Sequence, residues 1–305
     1  MSRLLTIAIP TYNRADLLDT QLAWLSHAIK GYESDCEILI SDNCSTDSTP
    51  EVIQKWRSQL TNIKFTAHRN SQNLGVMRNL VHCLKSAETK YVWAIGDDDP
   101  IDDKAIPYVI SNLKSNYDLS LLILNFSLRD THTNQVLYHH TFDVKTELLP
   151  DGKNFIENYL TKEHRGLGFL SAQIYHTATV QQALKSWPAS VDNLEGQIYW
   201  GAFCAQFGRV HISKKVYLEN ARVMYKPRVR VRMHFIDLPQ VFIRLITIGY
   251  NRIAFHKRVI EHYGKKGFGK VIQPLLRLFP EFTVNFIIPQ LVYIASYIVP
   301  IRKEV

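Results

Sequence analysis

Three consecutive carboxylates, Asp97, Asp98 and Asp99, follow a short apolar run and Gly96. Carboxylates this close repel one another unless a cation lies among them. Mg²⁺ and Mn²⁺ accept carboxylate oxygens and commonly keep part of their coordination shell for water or substrate phosphates. The alternatives are a solvated acidic turn or a helix cap, although a cap needs only one Asp. The pattern therefore predicts a site for Mn²⁺ or Mg²⁺ that takes a diphosphate-bearing substrate.

Polar residues also follow the other predicted strands of the first half, in segments 10–14, 41–47 and 70–79. Open parallel sheets bind ligands at the carboxyl ends of their strands, where such segments meet. Asp42 is placed to hydrogen-bond a ribose or a base, as acidic residues after an early strand do in dinucleotide folds. Arg78 offers a fixed charge to a diphosphate, with a surface salt bridge as its alternative.

The composition and the motifs exclude several classes of protein. Hydrophobic residues make up 46% and charged residues 21% of the chain, which argues against a disordered, fibrous or multi-span membrane protein. Neither Gly-x-x-x-x-Gly-Lys nor Gly-x-Gly-x-x-Gly occurs, which argues against P-loop NTPases and classical dehydrogenases. The four cysteines show no Cys-x-x-Cys pairing, and no apolar leader follows Met1. We therefore expect a cytoplasmic protein with reduced thiols.

Strand and helix patterns alternate through residues 1–125, which predicts a parallel sheet covered by helices on both faces. From residue 126 the pattern loosens, and the Arg-rich stretch 222–234 is predicted to be an exposed strand or a loop that orders on binding. The predicted strands are 4–9, 37–41, 63–67, 91–95, 119–126, 136–142, 169–175 and 210–218, and a helix is predicted at 196–207.

The net charge of +8 is concentrated in residues 222–305, which hold 15 Lys and Arg against four Asp and Glu. Basic and large apolar residues interleave there, as in helices that lie on an anionic membrane surface. The alternatives are helices that pack on the main domain and a single membrane span at 282–301, which Pro289 disfavours. With no nucleic-acid-binding motif in the sequence, we expect no nucleic-acid partner.

Four segments give the chain a resemblance to family 2 glycosyltransferases, which are inverting enzymes of the GT-A fold. They are Thr-Ile-Ala-Ile-Pro-Thr-Tyr-Asn-Arg at 6–14, Ser-Asp-Asn-Cys-Ser-Thr-Asp at 41–47, Asn-Leu-Gly-Val-Met-Arg-Asn at 73–79 and Gly-Asp-Asp-Asp-Pro at 96–100. The last motif is similar to that of enzymes of O-antigen and exopolysaccharide assembly.

The resemblance implies an α/β, Rossmann-like GT-A domain with a mostly parallel sheet covered by helices. Combined with the charge distribution, it divides the chain into a GT-A domain at 1–221 and a basic, helical, membrane-associating extension at 222–305. The domain would consist of a nucleotide-sugar-binding half at 1–125 and an acceptor half at 126–221.

The resemblance also implies a nucleotide-sugar donor held with Mn²⁺ or Mg²⁺. The Asp-x-Asp motif of the family maps onto Asp97 and Asp99, of which Asp99 is expected to bind the metal most directly. Asp98 is expected to face the ribose or the donor sugar, and a downstream histidine, His234 or alternatively His211, to add a metal ligand. The other donor-binding residues expected are Pro10, Thr11, Tyr12, Arg14, Asp42, Asn73, Gly75 and Arg78.

Inverting transfer is a single displacement, so a general base must deprotonate the acceptor hydroxyl. In the family this base opens a helix after the acceptor-side strands, and the matching stretch here is Asp-Asn-Leu-Glu-Gly-Gln at 192–197. The usual paired acids are absent. Glu195 is the preferred base and Asp192 the alternative, while either acid would also favour a helix N-terminus for electrostatic reasons alone.

These observations predict a metal-dependent inverting glycosyltransferase peripheral to the inner face of the cell membrane. It would pass a sugar to a glycan or polyprenyl-linked acceptor in cell-surface polysaccharide synthesis. The alternatives are a nucleotide-sugar-binding protein of the same fold without transferase activity, and a nucleotidyltransferase.

Overall fold

The computed structural model describes residues 3–162, 165–222, 225–264 and 268–298. Within them a single mixed sheet is covered by helices, so the predicted α/β class is confirmed. Its nine described strands are β1 (Leu5–Thr11), β2 (Cys36–Asp42), β3 (Lys64–Arg69), β4 (Tyr91–Ala94), β5 (Leu119–Asp130), β6 (Val136–Tyr138), β7 (Leu148–Leu149), β8 (Gln173–His176) and β9 (Arg209–Arg222).

The first four strands are parallel and adjacent, in the order β3-β2-β1-β4. The apolar side chains of β1, β2 and β4 are buried, as expected for strands with helices on both faces. Thr11 and Asp42 are register partners at the carboxyl ends of β1 and β2. The segments that follow these strands therefore begin side by side.

The order of the sheet changes beyond β4. The short strand β8 lies between β4 and β5 and runs antiparallel to both, although it comes later in the chain than either. The long strands β5 and β9 then pair in parallel. Since β8 begins only at Gln173, the predicted strand 169–175 is replaced in its first part by a 3₁₀ turn at Leu170–Ala172. The predicted hairpin strand 136–142 is likewise shorter, at Val136–Tyr138.

The helices include α7, which is buried along its whole length and packs against α6 and α9. This helix places the residues that precede it close to the sheet. The helices are α1 (Ala15–Ala28), α2 (Thr49–Gln59), α3 (Val76–Ser86), α4 (Ala105–Ser115), α5 (Gly152–Lys162), α6 (Thr177–Ser186), α7 (Gly196–Cys204), α8 (Pro227–Arg232), α9 (Leu238–Thr247), α10 (Arg252–Gly264), α11 (Phe268–Leu278), α12 (Pro280–Phe282) and α13 (Ile288–Ile298).

The Arg-rich stretch is helical from Pro227 onward, so the expectation of an exposed strand or loop is wrong for residues 227–234, whereas Arg222 ends strand β9. Helix α8 continues through a π-helical turn, Met233–Asp237, into α9. The Arg-Val alternation suggested a period of two, but proline at the first helical position favours a helix start. Residues 223–224 lie outside the described residues.

The C-terminal helices pack on the rest of the protein. The Tyr250 hydroxyl donates to the backbone oxygen of Ala202 in α7 at 2.7 Å, and Leu238, Val241 and Phe242 are fully buried. No helix in the described part of the chain is long and apolar enough to cross a membrane.

Candidate active site

A cavity of about 420 Å³ opens at the carboxyl ends of β1 and β4. Eight of the ten residues predicted to bind the donor line it, whereas Asp42 and Arg78 do not. The predicted residues at its wall are Pro10, Thr11, Tyr12, Arg14, Asn73, Gly75, Asp97 and Asp98, and the other lining residues are Asn43, Val76, Asn79, Gly96 and Leu170.

Asp97 and Asp98 form the charged wall of this cavity. The buried Asp97 carboxylate accepts a hydrogen bond from the Thr11 hydroxyl at 2.7 Å. Its other oxygen lies 2.5 Å from Nη1 of Arg14, while Nη2 of Arg14 lies 2.8 Å from Oδ2 of Asp98. The Arg14 side chain thus bridges the first two carboxylates of the acidic turn and balances part of their charge.

The third carboxylate, Asp99, does not line the cavity. Its Oδ2 accepts hydrogen bonds from the Ser171 hydroxyl and, at 3.2 Å, from the backbone N–H of Gly96. A Cβ on residue 96 would lie 2.4 Å from this oxygen, so a side chain there would have to displace the Asp99 carboxylate. Burial raises the pKa of Asp99 to about 6. Asp99 therefore stabilises the turn that presents Asp97 and Asp98.

A network of asparagines shapes the opposite wall. The buried Asn79 side chain accepts from Ser41 Oγ at 2.7 Å and from Asn70 Nδ2 at 2.9 Å. Asn43 donates to Asn73 Oδ1 at 2.8 Å and accepts from the backbone N–H of Leu74 at 2.9 Å. These bonds attach the ends of β2 and β3 to the loop that leads into α3.

Two predicted donor contacts are engaged elsewhere. Asp42 is buried, accepts from the backbone N–H of Ser45 at 2.9 Å and lies 3.3 Å from Nη1 of Arg69. Arg78 is exposed and forms a two-pronged ion pair with Asp192, at 2.7 and 2.9 Å. Arg78 thus takes the salt-bridge alternative in this structure, and the pair joins α3 to the turn before α7.

Glu195 immediately precedes α7 and is 9% exposed. Burial, and secondarily the nearby negative charge of Asp237, raises the pKa of Glu195 to about 8. Among the described residues its carboxylate has no ion pair. Asp192 differs, because its ion pair with Arg78 lowers the pKa of that carboxyl. Glu195 therefore suits proton abstraction near neutral pH better than Asp192 does.

The loop that carries Glu195 is held by the C-terminal segment. Asn193 donates to the backbone oxygen of Asp237 at 3.0 Å and to Gln240 Oε1 at 3.1 Å. Arg232 donates to the backbone oxygen of Asp192 and lies 3.2 Å from the Asp237 carboxylate. Residues beyond position 221 therefore take part in positioning the candidate base.

A second cavity, of about 350 Å³, lies beside this loop. Amides, charged groups and aromatic rings share its wall. Its lining residues are Ala189, Asp192, Asn193, Arg232, Ile236, Asp237, Gln240, Phe279 and Phe282.

The residues expected to hold a metal are only partly assembled. In the described part of the chain no three His, Cys, Asp or Glu side chains are arranged to hold a metal ion. His234 contacts the rings of Phe235 and His262, so the expected set of Asp97, Asp99 and His234 does not form. Asp97 and Asp98 do fit a cation, because together they already face the positive guanidinium of Arg14.

The alternative histidine, His211, is also engaged elsewhere. It is buried, with Nε2 2.7 Å from the Tyr108 hydroxyl and 3.8 Å from Glu147. His211 lies in strand β9, where Leu122 of β5 and Leu148 of β7 are its register partners. These contacts give His211 a structural role in the core.

Several residues of the site were missed by the sequence reasoning. Asn43 and Asn79 lie within the motifs at 41–47 and 73–79, so their position in those motifs was an available signal. Ser171 and Asp237 carry no local signal, because each reaches the site only through the packing of distant segments.

The profile of the family described as "Glycosyl transferase family 2" matches residues 6–177, which is more than half of the chain. The chain belongs to glycosyl transferase family 2. The matched segment contains both walls of the first cavity but ends before Glu195.

One curated protein is similar in sequence over part of its length. The abequosyltransferase RfbV of Salmonella typhimurium is 37% identical over 118 residues, which cover 39% of this chain and 35% of that protein. The match therefore spans about a third of the length of the relative.

Two solved structures share the fold. Staphylococcus aureus TarS 1-349 in complex with UDP has a TM-score of 0.59 at 16% identity, covering 86% of this chain and 71% of that one. The mannosyltransferase PcManGT of Pyrobaculum calidifontis, in complex with GDP-Man and Mn²⁺, has a TM-score of 0.60 at 14% identity, covering 97% and 86%.

Proposed function

We propose that this family 2 member is a metal-dependent, inverting glycosyltransferase of cell-surface polysaccharide synthesis. It transfers a sugar from a nucleoside-diphosphate sugar to a hydroxyl of a glycan or polyprenyl-linked acceptor. The observation that carries the proposal is that the short segment 168–171 touches both acidic groups. A Cβ on Gly168 would lie 3.2 Å from Oε2 of the buried Glu195, while Leu170 lines the Asp97–Asp98 cavity and Ser171 donates to Asp99.

The donor site is the first cavity. Its position at the carboxyl ends of parallel strands is where open α/β sheets bind nucleotides. The exposed amide of Asn73 offers a neutral hydrogen-bond partner to a base or ribose, and Arg14 offers charge to a diphosphate. The UDP and GDP-Man bound by TarS and PcManGT support a nucleotide-sugar as ligand of this fold.

Mn²⁺ or Mg²⁺ is the proposed cofactor, and Asp97 and Asp98 are the residues that would hold it. A metal held there would supply positive charge to the leaving diphosphate. The Mn²⁺ in the PcManGT complex supports this choice of ion. Asp99 would act by holding the turn through Ser171 and Gly96.

Glu195 is the proposed general base. In the displacement the acceptor oxygen forms a bond to the anomeric carbon, and its proton passes to the Glu195 carboxylate. The bond from the anomeric carbon to the diphosphate oxygen breaks, and its electron pair leaves with the nucleoside diphosphate. A base with a pKa near the working pH is effective because it is both available and strong enough.

The second cavity is the proposed acceptor site. Its polar side chains, Asn193 and Gln240, are suited to sugar hydroxyls, and the rings of Phe279 and Phe282 offer apolar faces. Because Asn193 is two residues from Glu195, an acceptor held there would approach the base.

Membrane association is proposed for the C-terminal helices, where exposed apolar and basic side chains occur together. Ile253, Phe286 and Val292 are 76%, 59% and 65% exposed, and Lys270 and Arg277 are exposed on the intervening helix. Such a surface would hold the enzyme on the inner face of the cell membrane, where polyprenyl-linked acceptors would be reached.

Sedimentation of the full chain with anionic liposomes tests this association. Phe286→Ser with Val292→Ser should reduce the bound fraction, while Tyr117→Ser, which removes an 81% exposed ring between α4 and β5, should not. Equal binding by both variants would contradict the membrane surface.

A calorimetric screen of UDP, GDP, CDP and dTDP, each with and without Mn²⁺, tests the donor site. We expect one nucleotide to bind with metal and Asp97→Asn to lose that binding. Failure of all four would contradict the proposal. Binding without hydrolysis or transfer of any matching nucleotide-sugar would instead favour a binding protein of this fold.

A further inference from the structure

The acidic turn already contacts a positively charged group of the protein itself, the guanidinium of Arg14. Both terminal nitrogens of Arg14 are used, one on Asp97 at 2.5 Å and the other on Asp98 at 2.8 Å. Thr11 occupies the second oxygen of Asp97 at 2.7 Å. Both Asp97 oxygens and one Asp98 oxygen are therefore engaged before any ligand arrives.

We propose that Arg14 is a displaceable occupant of the metal position, which couples the binding of the metal to the binding of the donor diphosphate. The inference rests on the proposed function. A divalent ion and a guanidinium cannot share the same two carboxylates without repulsion, so the ion must displace Arg14.

The structure lets the side chain of Arg14 move while its backbone stays in place. The backbone oxygen of Arg14 accepts from the N–H of Leu18 at 2.9 Å, in the first turn of α1. The preceding residue, Asn13, accepts from the N–H of Thr46 at 2.7 Å. The Arg14 side chain itself is 43% exposed, and its ion pair with the 42% exposed Asp98 contributes little net stability.

A diphosphate offers Arg14 a new partner within reach. Arg14 lines the same cavity as Asp97 and Asp98, so the side chain need only turn within that cavity to meet the phosphates. Guanidinium and phosphate form paired, charge-assisted hydrogen bonds that suit the fork geometry of arginine. Metal alone must break the Arg14 contacts without replacement, whereas metal with diphosphate exchanges them. Each ligand should therefore raise the affinity for the other, and by the same factor.

This coupling predicts effects of opposite sign for one substitution. In Arg14→Gln the metal meets no competing cation, so Mn²⁺ without nucleotide should bind about 10-fold more tightly than to the wild type. The diphosphate loses its partner, so UDP or GDP in the presence of Mn²⁺ should bind more weakly. An arginine that served only as a diphosphate contact would leave the affinity for Mn²⁺ alone unchanged.

The test is isothermal titration of the full-length protein with Mn²⁺ alone, and with Mn²⁺ in saturating UDP or, in parallel, GDP. Arg14→Lys keeps the positive charge and should retain most of the coupling. Arg69→Gln is the matched control, since it removes an exposed arginine from a buried aspartate, Asp42, outside the cavity. It should leave the affinity for Mn²⁺ unchanged, and thermal melts establish that each variant is folded.

The inference is supported if Arg14→Gln, but not Arg69→Gln, binds Mn²⁺ more tightly than the wild type in the absence of nucleotide, and if nucleotide then increases the Mn²⁺ affinity of Arg14→Gln by a smaller factor. Unchanged or weaker Mn²⁺ binding by Arg14→Gln overturns it and leaves the proposed transferase standing. If the wild type binds no Mn²⁺ even with UDP or GDP, the metal-dependent function and this inference fail together.

Discussion

The carboxylates of Asp97 and Glu195 differ in the groups that surround them and therefore in what stabilises or destabilises their ionised form. Burial raises the pKa of the Asp97 carboxyl, but the Thr11 hydroxyl and the Arg14 guanidinium oppose this rise and favour the ionised form. Glu195 is buried near another acid, Asp237, and its pKa is raised to about 8. The first arrangement suits a residue that must stay charged to hold a cation. The second suits a residue that must take up a proton.

The two sites also differ in how they are assembled. The wall of the first cavity, the proposed donor site, comes from turns that directly follow neighbouring parallel strands, mostly within the first 100 residues. The Glu195 loop is held by Arg232, Asp237 and Gln240, which lie some 40 residues further along the chain. Substitutions at the donor cavity should therefore change nucleotide binding, whereas substitutions at the Glu195 loop should change transfer alone.

The largest effect is expected at the base. Glu195→Gln removes the proton acceptor with little change in size, so the transfer rate should fall by about 10³-fold. Initial-rate assays measure the loss, and titration with the donor nucleotide should give an unchanged affinity. Transfer within a few-fold of the wild type would contradict the role of Glu195.

The donor wall should respond in binding as well as in rate. Asp97→Asn removes a charge that faces the cation position, so metal-dependent nucleotide affinity should fall on the order of 100-fold. Asp99→Asn should cost less affinity, because that carboxylate faces Ser171 and Gly96. Calorimetry measures the nucleotide affinity of both variants in the presence of metal. A larger loss of affinity for Asp99→Asn than for Asp97→Asn would indicate that Asp99 is the main metal ligand.

The pH dependence should reveal the electrostatic difference between the sites. Transfer should rise with pH up to about pH 8, because Glu195 must lose its proton before it acts as base. Asp237→Asn removes a neighbouring negative charge, so it should lower the pKa of Glu195 and move this limb toward lower pH, by about one unit.

The limb is measured from kcat/KM against pH. Asp35→Asn, which loses an ion pair with Lys114 away from both cavities, is the control and should leave the profile in place. An unchanged pH profile in Asp237→Asn would show that the charge of Asp237 does not influence the pKa of Glu195.

A smaller effect is expected at the turn into α3. Gly75 has φ +85°, a left-handed conformation that a side chain disfavours, so Gly75→Ala should destabilise the fold by about 1–2 kcal/mol. Gly269→Ala, in the open space around α11, should instead be neutral or slightly stabilising. Urea denaturation measures both, and equal effects would argue against strain at this turn.

The smallest effect is expected at the ion pair that joins the two regions. Arg78 and Asp192 are exposed, so Asp192→Asn should change transfer less than about 5-fold and leave nucleotide affinity unchanged. A loss as large as that of Glu195→Gln would make Asp192 the base.

Much of the donor region could be predicted because its signals are local. Apolar runs marked β1, β2 and β4, and the polar residues that followed them met at one sheet edge, since parallel strands point the same way. The position of Asp42 and Arg78 in the same segments predicted contacts with the donor. In the structure Asp42 pairs with Arg69 and Arg78 pairs with Asp192, and no local pattern signals either ion pair.

The acceptor region depended on contacts that no local pattern encodes. The antiparallel insertion of β8 between β4 and β5 brings Ser171 to Asp99, and the helical form of 227–232 brings Arg232 and Asp237 to the Glu195 loop. A period of two or of 3.6 describes a single element, whereas these contacts join segments far apart in the chain.

The sequence by itself determined the strand–turn motifs of the donor cavity and the acidic residues available to it. Their spacing is short, and the chain geometry within a strand and its following turn leaves little choice of position. Only the tertiary structure decided which carboxylates pair with an arginine, as Asp97 and Asp192 do, and which are buried away from one, as Glu195 is. The charge state of a carboxylate depends on its burial and on its neighbours in space, and both are properties of the folded chain.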